Sequence, residues 1–176
     1  MRSPLPVLAL AALALGATAC NPSFDVHVSS KTTVQGSALG QLSQFFPPGA
    51  FAGFAGMDLS QTSDFKNAGI SKDQVSSVKL KSLTLKIVSP SGATFDWLNS
   101  IKFNVTTDGQ PTKEVAKDTS VSHSASSLSL AVDDVELAPY VTAPRMSLTT
   151  DANAVQPSED TQIEADAVFT VVPKIL

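Results

Sequence analysis

Polar and apolar positions alternate over much of the chain. Phe24, Val26 and Val28 alternate with Asp25, His27 and Ser29, and a Ser/Thr-rich extension carries the pattern to Val34. This predicts a strand over 24–34 with one apolar and one wet face. The stretch 78–88, Val-Lys-Leu-Lys-Ser-Leu-Thr-Leu-Lys-Ile-Val, is the clearest strand of all, yet its parity changes midway. Val78 and Leu80 share one parity, whereas Leu83, Leu85 and Ile87 share the other. A slip of one residue exchanges the two faces of a strand, so a β-bulge or a crossing between sheets near Lys81-Ser82 is needed to keep both sets inward.

Further strands are predicted around Ile101, Phe103 and Val105, ending at the turn Asp108-Gly109, and around Leu128, Leu130 and Val132. Two more are predicted over 145–150 and 162–172, the last with Ile163, Ala165, Ala167, Phe169 and Val171 inward. Helix is expected only in short pieces between 58 and 77 and near 95–99. Gly69 supplies a stop, and Ser71 with Gln74 has the spacing of a capping box. The segment 95–99 is expected to form a local helical turn that buries Phe95 or Trp97. Ser89-Pro90-Ser91-Gly92 reads as a turn and 133–137 as a connector. About seven short strands separated by turn signals argue for an all-β chain, an antiparallel β-sandwich (immunoglobulin-like or a similar Greek key) with short helical insertions.

Residues 36–57 differ in kind. Phe45, Phe46, Phe51 and Phe54 lie among Gly and Ala, and Pro47-Pro48 forbids a continuous helix. Two readings stand: a covering loop whose rings close an edge of the core, or a contact loop whose exposed rings meet lipid or a partner protein.

Composition narrows the classes. The 176 residues are 43% hydrophobic, 6% aromatic and 16% charged, with 12 basic against 16 acidic side chains. No basic stripe for nucleic acid exists, and the charged fraction lies below the roughly 25% of ordinary globular proteins. Eight Lys fall between 66 and 117, whereas nine acids fall after 117, so a two-signed surface is expected unless strand alternation mixes the charges.

The N-terminus has its own character. Met1-Arg2 brings one positive charge, and residues 5–15 form an apolar run too short to span a bilayer as a helix, as in the core of a signal peptide. Then comes Gly16-Ala17-Thr18-Ala19-Cys20, with the one Cys of the chain at the end of the run. This segment resembles the lipobox of bacterial lipoproteins, although Ala17 stands where that family prefers Leu. The resemblance covers residues 1–20 and implies a thioether lipid on Cys20 with cleavage before it. Ala17-Thr18-Ala19 also satisfies the small-residue rule of ordinary secretory cleavage, which would release a soluble chain with a free thiol. On the lipoprotein reading the chain divides into a signal peptide (1–19), a lipidated tether (20–23) and one β-sandwich domain (24–176). The mature domain loses Arg2 and carries 11 basic against 16 acidic groups, or −5.

Candidate chemistry is sparse. His27 and His123 stand alone, without the second ligand at close spacing that metal motifs use. No nucleophile elbow appears, and Ser122-His123-Ser124 is adjacency, not a triad. Asp133, Asp134 and Glu136 could offer oxygen ligands to calcium, but a solvated connector or the start of a helical turn suits them better. Lys79, Lys81 and Lys86 form either a basic strip or charges that guard a sheet edge. The expectation is therefore a lipid-anchored envelope protein, non-enzymatic, with neither cofactor nor metal, acting as a structural or protein-interaction module. Asn21, where enteric lipoproteins retained at the inner membrane have Asp, favours the outer membrane. The alternative is an envelope binding module for a small apolar or glycan ligand.

Overall fold

The computed structural model describes residues 22–36 and 49–174; the expected signal peptide (1–19), Cys20, Phe45 and Phe46 lie outside the described residues. Strands account for 49% of the described structure and form two antiparallel four-stranded sheets, the expected all-β sandwich. In chain order the strands are β1 (Phe24–Val34), β2 (Val75–Ser89), β3 (Leu98–Thr106), β4 (Lys113–Asp118), β5 (Ser127–Ser129), β6 (Ala131–Val132), β7 (Ser147–Ala154) and β8 (Thr161–Pro173). One sheet runs β1-β8-β2-β5, with the C-terminal strand between the first two, and the other runs β6-β4-β3-β7. Among the described residues, two short helices, α1 (Ser63–Asn67) and α2 (Ala138–Val141), and three single 3₁₀ turns lie in the connections.

The parity change in β2 is a bulge. Leu80 pairs with Phe169 and Ser82 with Val168, so Lys81 is the extra residue. Val78, Leu80, Leu83, Leu85 and Ile87 all enter the core, while Lys81 and Lys86 stay exposed. β8 keeps strict alternation: Ile163, Ala165, Ala167, Phe169 and Val171 are at most 1% exposed. Between β1 and β2 it bonds on both edges, and its inward face meets the other sheet.

Three features differ from the sequence reading. The stretch 128–132 is two strands in different sheets: Leu128 pairs with Leu85, Ala131 pairs with Lys117, and the chain changes layer at Leu130. All of Leu128, Leu130 and Val132 show a period of two, but that period cannot reveal which sheet supplies the partner. β4 carries no visible alternation, since Val115 and Ala116 are both buried, beside the register shift opposite Phe103 and Asn104. The 95–99 segment is a single turn closed by Leu98 N–H onto the Phe95 carbonyl at 3.1 Å, with β3 already starting at Leu98; it buries both Phe95 and Trp97.

The helical pieces follow their local signals. The Thr62 hydroxyl accepts from the Phe65 N–H at the start of α1, and Gly69, at φ +68°, ends it. Gln74 Oε1 accepts from the Ser71 N–H at 2.9 Å, the reach-back half of a capping box.

Candidate functional site

The Phe-rich segment turns its described rings inward. A 3₁₀ turn over Ala52–Phe54 places Phe51 and Phe54 at 2% and 0% exposure. Their centroids lie 5.8 and 6.4 Å from that of Phe103, an aromatic cluster worth about 0.5–1.5 kcal/mol per pair beyond the area it buries. The turn is clamped at both ends. Gly53 N–H donates to Ser30 Oγ on β1 at 2.9 Å, and Gly56 N–H donates to Ser147 Oγ on β7 at 2.8 Å. A Cβ on Gly53 would come within 2.9 Å of Ser30 Oγ, so only glycine allows this approach. Phe51 and Phe54 therefore offer no contact surface, which corrects that reading for these two rings: covering the core removes more apolar area from water than exposure would.

The acidic connector is divided among separate partners. Asp133 pairs with Lys117 at 3.6 Å and Asp134 with Lys79 at 2.5 Å. Glu136 turns the other way, accepting from the Ser77 hydroxyl at 2.6 Å and from the N–H groups of Val78 and Ala138 at 2.8 Å each. Desolvation pushes this carboxyl up, but hydrogen bonds from Ser77, Val78 and Ala138 outweigh it and hold Glu136 below the ordinary glutamate range. The arrangement laces β2 to α2. Among the described residues no group of three His, Cys, Asp or Glu is placed to hold a metal ion.

The two histidines lie far apart in the fold, both exposed: His27 on β1 and His123 in the turn before β5. Ser122 and Ser124 hydroxyls meet at 3.4 Å. The basic strip is interrupted by ion pairing. Lys81 reaches Asp25 at 2.5 Å and Lys79 reaches Asp134, while Lys86 stands across from Glu164 in register. Hydrogen bonds from Lys81 and Thr170 hold the Asp25 carboxyl below its usual value. Lys79, Lys102 and Lys117 meet acids of the later stretch and Lys81 meets one that precedes it, so the expected two-signed surface is mixed.

The described surface carries open clefts. One, about 470 Å³, crosses the outer face of β4, β3 and β7 and is lined by Ser100, Lys102, Glu114, Lys117, Asp151 and Asn153, among others. Lys102 meets Asp151 at 3.1 Å and Lys117 meets Glu114 at 2.5 Å. A second, about 200 Å³, lies between Thr94, Asp96 and Ser158, Glu159 at one end of the sandwich. The smaller cleft is walled by donors and acceptors, whereas Ile101 and Ala152 also line the larger groove beside its charged side chains. Sequence reasoning missed the larger groove because it missed β4. Glu114 and Lys117 would face opposite ways in a regular strand, and the irregularity at Val115-Ala116 brings them to one face.

No protein-family model and no curated protein matches this chain. Among solved structures, a chain of Desmodium yellow mottle tymovirus is similar at 10% identity, covering 100% of this chain and 95% of that one. The TM-score is 0.24, a superposition too loose to carry any argument.

Proposed function

We propose that this is a lipid-anchored cell-envelope protein, held through Cys20 and favouring the outer membrane, whose sandwich works as a non-enzymatic structural or protein-interaction module. The observation that carries the reading is the N-terminal order: one positive charge, an apolar run, small residues and the one Cys of the chain, with β1 beginning at Phe24. Acyl chains contribute about 0.8 kcal/mol per buried CH₂, and two or more give stable anchoring. Mass spectrometry of the mature N-terminus tests it. The expected product begins at an acylated Cys20 and partitions with membranes, and a soluble chain starting at unmodified Cys20 rejects it.

The groove across β4, β3 and β7 favours a second reading, a binding module for a glycan. Hydroxyl-rich ligands need paired donors and acceptors, which Lys102, Asp151 and Asn153 supply. Oligosaccharide titration monitored by heat-shift, compared with Asn153→Ala, separates the two readings.

A further inference from the structure

The sandwich has two unlike ends, and the position of the anchor decides which one meets the membrane. Four Cα–Cα steps separate Cys20 from Phe24, at most about 14 Å of chain. The first strand then extends for 11 residues from Phe24 to Val34. Phe24 pairs with Val171, and Pro173 of the same strand pairs with Val75, so residues 22–25, 71–77 and 171–174 lie together at the anchor end. The backbone N–H of Lys174 donates to the Gln74 carbonyl at 2.7 Å, and Ser76 Oγ donates to the Val172 carbonyl at 2.9 Å, which ties this end into one surface. α1 joins it through Phe65, whose ring stands edge-on to Phe24 at 5.7 Å.

The opposite end begins where the first strand stops at Val34, about 33 Å away at about 3.3 Å per residue. Val34 pairs with Thr161, and the second strand ends beside it, where Ser89 pairs with Gln162. The turns gathered there, 87–97, 119–126 and 155–162, contain Asp96, Glu159 and Asp160 and neither Lys nor Arg. The anchor end instead mixes signs: Lys66, Lys72 and Lys174 stand among Asp58, Asp64 and Asp73. An anionic leaflet repels the acidic end and tolerates the mixed one.

We propose that the end built from 22–25, 71–77 and 171–174 is seated on the lipid headgroups, so that the cleft between Thr94, Asp96, Ser158 and Glu159 faces away from the membrane. The inference rests on acylation of Cys20. It assigns the bilayer surface as the partner of one end and leaves the acidic end as the presented one.

The test uses full-length, processed protein in vesicles of phosphatidylethanolamine and phosphatidylglycerol that carry spin-labelled headgroups. Acylation consumes the Cys20 thiol, so Ser76→Cys or Ser158→Cys, both at exposed positions, takes a single fluorophore. The expected result is loss of fluorescence at 76 and none at 158. Equal quenching at both, or stronger quenching at 158, in protein that pellets with the vesicles overturns the orientation alone. Protein that remains in the supernatant, with an unmodified Cys20 by mass spectrometry, overturns the anchor and the orientation with it. Unchanged circular dichroism of each variant establishes that the labelled chains are folded.

Discussion

Leu80 and Leu83 point into the same core, at 5% and 1% exposure, although three residues apart in one strand they belong on opposite faces. The extra residue Lys81 reconciles them, and its side chain leaves the sheet to meet Asp25. The bulge keeps two apolar sets inward on one strand, and the stability of the larger sheet follows from it.

Leu85 lies at 0% exposure beyond the bulge, and Lys86 beside it faces water. Leu85→Ala removes transfer energy and leaves a cavity, an expected cost of about 2–5 kcal/mol. Lys86→Ala is expected to change stability by less than about 0.5 kcal/mol. Urea unfolding of the two variants measures both, and equal midpoints would contradict the burial of this strand.

Deleting Lys81 should do more harm than replacing it. Lys81→Ala keeps the extra residue and loses an exposed ion pair, a cost of about 0–1 kcal/mol. Deletion forces regular pairing, so either the Val78-Leu80 set or the Leu83-Leu85-Ile87 set turns to water. The expected outcome is a folded, nearly wild-type substitution variant beside a deletion variant that is unfolded or binds a hydrophobic dye, read by near-ultraviolet circular dichroism and dye fluorescence.

The Phe54 ring supplies a direct measure of the covering turn. Phe54→Ala is expected to cost about 3–5 kcal/mol in denaturant unfolding, the loss for a buried aromatic side chain. Gly53→Ala crowds Ser30 and should cost about 1–3 kcal/mol. Pairing it with Ser30→Gly removes the obstructing side chain and is expected to recover part of that loss.

Acid should weaken the fold through particular carboxylates. Asp25, Asp58 and Glu136 all titrate below their ordinary values in the folded chain. Their contribution is therefore fully present above the unfolded carboxylate range, near about pH 4, and is lost as pH falls through the folded values. Glu136→Gln, which keeps an acceptor but cannot ionise, is expected to flatten the decline of the urea midpoint between neutral pH and pH 3. An unchanged slope would show that Glu136 is not held ionised by Ser77, Val78 and Ala138.

The strands of this protein are legible in its sequence where burial alternates strictly. Phe24 to Val34 and Ile163 to Val171 show their inward faces residue by residue, and the break between Leu80 and Leu83 announces a bulge before any partner is known. The capping of Ser71 by Gln74 and the stop at Gly69 are equally local. Each of these depends on neighbours within a few positions, which a chain displays directly.

Tertiary structure alone decided the rest. Leu130 changes layers because Leu83 meets its N–H on one side of the sandwich while Ala131 finds Lys117 on the other. β4 is held by Phe103 and Val132 and not by a period of its own. Phe51 and Phe54 could have been a contact surface or a cover, and the space beside Phe103, bounded by Ser30 and Ser147, made them a cover. Such outcomes depend on which distant groups compete for the same volume and the same backbone hydrogen bonds. The order of residues names the competitors, and only the packed fold brings them within reach of one another.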